Sequence, residues 1–248
     1  MKKVCLLLFC FVFFSSFGVS AAEITISAAA SMRKVVDEIG NEFEKESGVK
    51  VIKNFTSSGK LAQQIVSGAP VDIYLSASYR WVRFLEKKDF LDRKDIKKLA
   101  SNTLVLIAPF DTSYHSVSDM RKMGTIAMGD YRFSPCGKYA KESLENLGFW
   151  KDVDKKLVLA RDVSQVVFWV MTGNVDGGIV YYTDFVPVKG KVSFMGSFPE
   201  DSHKPIAYFI AVVKESPNRR NAEKFVKFFL SKGDVLKKYG FSPVVDKW

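Results

Sequence analysis

From residue 24 onward the chain alternates short β-prone runs with amphipathic helical runs, an order that few folds accept. Ile24-Thr25-Ile26-Ser27 reads as a strand, and Met32, Val35, Val36, Ile39 and Phe43 then fall on one helical face that ends at Gly48. Val49 to Phe55 is a second strand, Leu61 to Val66 a helix stopped by Gly68-Ala69-Pro70, Val71 to Ala77 a third strand and Trp81 to Lys87 a third helix. After a β-prone run at Thr103 to Pro109 and a polar connection to Val117, the alternation resumes. Strands are predicted at Thr125 to Met128, Leu157 to Ala160 and Gly177 to Val180, with helices at Lys138 to Leu147 and Val163 to Met171. Val192 to Phe198 and Ile206 to Val213 are further strands, and Ala222 to Leu230 and Val235 to Tyr239 are closing helices. Repeated β-α-β units predict an α/β fold of mixed sheets covered by helices on both faces. Two such series, with strands near 103–109 and 206–213 between them, predict two lobes with two hinge crossings. Residues 23–107 and 205–248 form one lobe, and 108–204 the other.

The residues before this pattern read differently. Lys2 and Lys3 precede an apolar run from Val4 to Phe14, and Ser15 to Ala22 ends in small residues, so 1–22 is predicted to be a signal peptide. That run is too short for a comfortable membrane span and no later segment is longer, which predicts an exported, periplasmic chain that does not span the membrane. Cys10 as a lipoprotein cysteine is the rival reading, but Leu8-Phe9 before it are bulky. Cys5 and Cys10 leave with the signal, so Cys136 remains alone and no intrachain disulfide can form. The formal net charge is +10, two units of which belong to Lys2 and Lys3. The remaining lysines are dispersed among acids, in pairs such as Lys87-Lys88 and Lys97-Lys98, without a zinc-finger spacing or an RNP-like motif. This reads as a solvated basic surface with no nucleic-acid partner, whose field would speed the encounter with an anion.

Four segments carry small or donor residues where a strand opens into a helix: Ala30-Ser31, Ser57-Ser58, Ser134-Pro135-Cys136-Gly137 and Asp162-Val163-Ser164. A fifth, Ile179-Val180-Tyr181, ends a strand with a phenol. Each alone is an ordinary helix cap. Together they share one topological position, two in each lobe, at the carboxyl ends of strands where open α/β sheets bind ligands. A serine at a helix start offers a hydroxyl next to unpaired N–H groups, which is an anion site built from neutral donors.

These residues also resemble a known family. Ala28-Ala29-Ala30-Ser31, Phe55-Thr56-Ser57-Ser58 with Leu61-Ala62, Gly68-Ala69-Pro70, Pro135-Cys136-Gly137-Lys138-Tyr139-Ala140-Lys141, Asp162-Val163, Gly178-Ile179-Val180-Tyr181 and Phe198-Pro199-Glu200-Asp201-Ser202-His203 occur in this order. In that order and spacing the chain, from about Glu23 to Phe241, is similar to the periplasmic molybdate-binding proteins of ABC importers. The resemblance implies a monomeric receptor that delivers molybdate or tungstate to a membrane permease with an ATPase partner, with no cofactor. It implies a ligand shell in which Ser31 and Ser58 each give a hydroxyl and an N–H, Cys136 and Val163 give N–H groups, and Tyr181 gives its phenol. Molybdenum would enter as the oxyanion, not as a coordinated cation. The family commonly has alanine at the position of Cys136, so the thiol itself is expected to be a tolerated small group.

A shell of donors alone selects chemically. Molybdate, tungstate and sulfate carry no proton at neutral pH, whereas hydrogen phosphate leaves an O–H without an acceptor, at a cost of about 1–3 kcal/mol. Separating molybdate from sulfate is left to cavity size. Alternatives are a receptor for another tetrahedral oxyanion such as sulfate, a secreted enzyme using Ser31 or Ser58 as nucleophile, and an adhesin-like protein using its basic surface. The enzyme would need His115 or His203 at a serine, and no Gly-x-Ser-x-Gly elbow is present. One mature cysteine and two histidines give no transition-metal spacing. Asp162 and Asp184 are expected to cap helices, and Trp81, Trp150, Trp169 and Phe149 to pack.

Overall fold

A computed structural model describes residues 22–244, so the predicted signal segment lies outside the described residues apart from Ala22. β1 (Glu23–Ala29), α1 (Arg33–Ser47), β2 (Lys50–Thr56), α2 (Ser58–Val66), β3 (Ile73–Ser76) and α3 (Tyr79–Lys87) form the first series. β4 (Lys97–Ser101) and β5 (Leu104–Pro109) follow. The second series is β6 (Ile126–Gly129), α4 (Pro135–Asn146), α5 (Trp150–Val153), β7 (Leu157–Ala160), α6 (Val163–Met171), β8 (Gly177–Tyr181), α7 (Tyr182–Phe185) and β9 (Val192–Ser197). β10 (Ala207–Val212), α8 (Arg219–Leu230), α9 (Gly233–Lys238) and β11 (Ser242–Pro243) close the chain.

Local chemistry accounts for the main boundaries. α1 buries Val35, Val36, Ile39 and Phe43 and stops where Gly48 takes a left-handed φ of 69°, its N–H returning to the Glu44 carbonyl at 3.0 Å. α4 begins three residues before the predicted Lys138. Ser134 caps it by accepting from Gly137 N–H, and Pro135 occupies the first position, where its missing N–H costs nothing. β4 was not predicted, because Lys97-Lys98 reads as a solvated pair. Only Leu99 and Ala100 of this strand are buried, and its pairing with β10 makes it a strand.

Among the described residues the strands form two mixed sheets, β11-β4-β10-β3-β1-β2 and β7-β6-β8-β5-β9, each flanked by helices. β1 runs parallel to β2 and β3, and β6 runs parallel to β7 and β8, while β10 and β5 are antiparallel to their neighbours. Registers matter here. The last β1/β2 pair is Ala29↔Thr56, so both strands end level and Ala30-Ser31 lies beside Ser57-Ser58. The β6/β7 ladder likewise ends at Gly129↔Ala160, and Met128↔Ile179 sets Tyr181 just beyond the end of β6.

The predicted crossings need one adjustment. Leu104 to Pro109 pairs with β8 and β9, so the expected boundary at 107/108 falls inside a strand of the second sheet. The chain changes sheet at Asn102-Thr103 and returns between Phe198 and Ile206, since β10 pairs with β3 and β4. Hydropathy marks both strands as buried and cannot say which partner each takes. The C-terminal tail packs on the first sheet's helices, with Lys238 Nζ 2.7 Å from Glu38 and Tyr239 Oη donating to the same carboxylate at 2.7 Å.

Candidate oxyanion-binding site

The two sheets turn the carboxyl ends of their parallel strands toward each other, and a cavity of about 10 Å3 lies between them. That is about the room one water needs. Ser31, Ser58, Cys136, Val163 and Tyr181 all line it, together with Ser57 and Asp162. The elements carrying them meet directly: Gly59 N–H donates to the Phe133 carbonyl at 2.9 Å, across from one sheet to the other.

Each hydroxyl has a readable polarity. Ser58 Oγ accepts from Ala77 N–H at 3.1 Å, and because an N–H can only donate, the Ser58 proton is free for the cavity. Ser31 Oγ lies 2.9 Å from Tyr208 Oη. Tyr181 Oη and Ser57 Oγ are buried and have no partner among the described residues, a rare condition that marks a site when it lines a cavity. Burial, and after it the neighbouring Tyr208, pushes the Tyr181 phenol well above the usual tyrosine range, so it keeps its proton as a donor. Cys136 and Val163 sit in the first turns of α4 and α6, where backbone N–H groups lack intrahelical acceptors.

Burial pushes the Cys136 thiol well above its ordinary range, with the Asp184 charge adding to it. The thiol is buried and points at the Ile179 carbonyl, 3.7 Å from Sγ, so it is a small packed side chain. Among the described residues no lysine or arginine lines the cavity. One carboxylate does, contrary to a shell free of charge: Asp162 caps α6 by accepting from Gln165 N–H at 3.2 Å, with Arg161 Nε 3.4 Å from its other oxygen. Its charge is met by a helix N-terminus and a guanidinium, so both oxygens are already engaged. Ser57 is the lining hydroxyl that the sequence reading quoted in its turn and did not select. Its place at the N-cap of α2 was visible in the sequence, but the missing cap bond that leaves its hydroxyl to the cavity is seen only in the structure. Neither His115 nor His203 lines the cavity, and His203 Nδ1 is held by the Lys204 carbonyl at 2.9 Å.

A larger cavity of about 150 Å3 adjoins the first through Ala30 and Ser31 and is lined by Arg33, Lys34 and Asp184 among others. Asp184 accepts from Tyr181 N–H at 3.1 Å at the start of α7. Burial pushes its carboxyl up to about 7, opposed by that hydrogen bond and aided by the Asp162 charge. The folded chain therefore keeps a proton that the unfolded chain releases near 3.8. The resulting stability is complete below the unfolded value and is lost as pH rises through about 7. Melting curves of the protein and of Asp184→Asn at pH 5, 6, 7 and 8 should thus diverge, the native chain losing ground up to pH 7 and then running parallel. Parallel curves over the whole range would assign Asp184 an ordinary carboxyl.

The family description "Bacterial extracellular solute-binding protein" matches residues 24–242. The chain belongs to that family. It is 36% identical over 230 residues to the molybdate-binding protein ModA of Escherichia coli (strain K12), covering 89% of each chain. It also resembles the solved substrate binding domain of a putative molybdenum ABC transporter from Clostridium difficile, with 37% identity and a TM-score of 0.68 over 90% of this chain and 99% of that one. The Azotobacter vinelandii periplasmic molybdate-binding protein, at 22% identity, shares the fold with a TM-score of 0.80 over 90% of this chain and all (100%) of the other. The two mixed sheets are thus the two lobes of a binding-protein fold, and its relatives are binding proteins, not enzymes.

Proposed function

We propose that this chain is an extracytoplasmic receptor that binds molybdate, and tungstate with it, between its two lobes and delivers it to an ABC importer. The observation that carries this reading is the buried, unpartnered Tyr181 hydroxyl in a cavity shared with the Ser31 and Ser58 hydroxyls and without a cation. A dianion would satisfy all of these donors at once, and helix N-termini supply compensating partial charge without the desolvation of an arginine. The ligand shell proposed is Ser31, Ser58, Cys136, Val163 and Tyr181, with no bond chemistry. The names of the relatives favour molybdate over sulfate.

In this reading the lobes are the two sheets with their helices, residues 23–102 with 205–244 against 103–204, closing about the two crossings. Contacts from both lobes make closure the state that holds the anion. A signal peptide at 1–22 would bring the chain to the periplasm as a monomer, where the closed form would be recognised by a permease with its ATPase.

Thermal-shift titration of residues 23–248 with molybdate, tungstate, sulfate and phosphate tests the reading. A ligand at one hundred times its dissociation constant stabilises by about 2.7 kcal/mol. For a chain of this size that is roughly 5–11 °C. The first two anions are expected to give this shift and the last two much less. No shift with molybdate or tungstate would overturn the assignment.

A further inference from the structure

We infer that Asn102 and Tyr208 are positioning residues that hold the Ser31 hydroxyl as a donor into the oxyanion cavity, and so set the discrimination against protonated oxyanions. The inference rests on the oxyanion reading above and names how one of its donors is oriented.

The orientation follows from one backbone group. Thr103 N–H can only donate, and it donates to an Asn102 side-chain atom at 2.9 Å, which makes that atom the amide oxygen Oδ1. The other end of the amide is then the NH2 group, and it donates to Thr183 Oγ1 at 2.8 Å and to Tyr208 Oη at 3.1 Å. Tyr208 is fully buried, and its oxygen has these two neighbours, Asn102 and Ser31. Since it accepts from Asn102, its own proton goes to Ser31 Oγ, 2.9 Å away. Ser31 Oγ is thereby an acceptor toward Tyr208 and has its proton left for the cavity that it lines. Burial above all keeps the Tyr208 phenol protonated, well above the usual tyrosine range, so the chain does not invert in ordinary buffers.

The consequence is chemical selection at a distance. Ser58 gains the same polarity locally from Ala77 N–H. Ser31 gains it from Asn102, at the point where the chain passes from one sheet to the other, through Tyr208 in β10. With both serines fixed as donors, neither Ser31 nor Ser58 turns a lone pair toward an oxyanion that carries a proton. Asn102 also ties Tyr208 in the first sheet to Thr183 beyond the end of β8, so the amide sits at a crossing and reads both sheets.

Asn102→Asp tests this with little change of shape. A carboxylate still accepts from Thr103 N–H, but its second oxygen also accepts, so Tyr208 turns its proton to it and Ser31 must donate to Tyr208. Ser31 then offers a lone pair to the cavity. Competition calorimetry at pH 8 compares molybdate with hydrogen phosphate, both dianions there, so the added charge weakens them alike. The ratio of their affinities is expected to fall tenfold or more from its native value. Tyr208→Phe, which keeps the ring against Tyr181 and Phe241, releases Ser31 to rotate and should lower the ratio severalfold. An unchanged ratio in Asn102→Asp, with molybdate binding merely weaker, would make Asn102 structural only and overturn the inference. If Asn102→Asp does not fold, an unchanged ratio in Tyr208→Phe overturns it equally. Failure of the oxyanion reading itself is seen separately, as absence of molybdate binding by the native chain.

Discussion

Gly137→Ala is expected to lower the melting temperature by roughly 4–8 °C and to abolish measurable molybdate binding. An alanine Cβ at this position would run into the Gly129 carbonyl, lie 2.6 Å from its carbon and 3.0 Å from Tyr131 nitrogen. These are backbone atoms of the turn leading into α4, so no side-chain rotation relieves the contact. In an open helix, alanine would be better than glycine by about 1 kcal/mol. Overpacking against rigid backbone lies at the upper end of the usual range, about 3 kcal/mol, so about 2 kcal/mol of destabilisation remains after the helical gain. For a chain of this length that converts to roughly 2–4 °C per kcal/mol. The only escape is to move the first turn of α4 away from the end of β6, which takes Cys136 N–H out of line with the cavity. Differential scanning calorimetry and molybdate titration of the variant check both halves. A variant that melts like the native chain would show that the turn yields, and the close approach would no longer explain the glycine.

Tyr181→Phe and Ser58→Ala should each cost binding, with opposite signatures in the fold. Hydrogen bonds to a charged group contribute about 1.5–3 kcal/mol. Loss of either hydroxyl is therefore expected to weaken molybdate binding about 10- to 150-fold, and loss of both to bring it near background. Tyr181 Oη has no protein partner among the described residues, so phenylalanine breaks no bond within the fold. Its melting temperature without oxyanion should match the native chain. Ser58→Ala strips the buried Ala77 N–H of its acceptor and should lower stability by about 1–3 kcal/mol. Calorimetric affinities set against melting temperatures separate the two. Unchanged affinity in both variants would remove these residues from the ligand shell.

Much of the fold was legible because the information is local. The apolar positions of α1, Val35, Val36, Ile39 and Phe43, repeat with the helical period, and their burial is what makes the helix. The strand β5 reads as a continuous apolar run, and β3 as one up to Ser76, because both faces are covered. β4 escaped notice because two of its five residues are lysines and its strand character comes from pairing with β10, more than one hundred residues away. The two-residue β11 is in the same position, since it exists only by its pairing with β4. The cavity-lining turns were legible for a related reason: Ser31, Ser58, Cys136 and Val163 stand where strands open into helices, which neighbouring residues mark, while the choice of Cys136 and Val163 within their turns came from the family resemblance. Ser57 was in view, but its lack of a cap bond was not. Asp162 was read correctly as a cap, while its presence on the cavity wall depends on how the second sheet faces the first.

By itself the sequence determined the β-α alternation, the segments that could donate hydrogen bonds at helix starts, the absence of a cation among them and the likeness to molybdate receptors. All of these follow from residue identity and spacing over a few turns of chain. The tertiary structure alone decided which strands share a sheet, that the ends of β1 and β2 are level at Ala29 and Thr56, and that five separated residues line one cavity of about 10 Å3. It also decided the direction of the hydrogen bonds reaching Ser31 from Asn102 through Tyr208, which join residues 106 and 177 positions apart. A hydroxyl can donate or accept, and its sequence position leaves that open. Only the identity of its spatial neighbours, traced back to a backbone N–H that must donate, settles which it does.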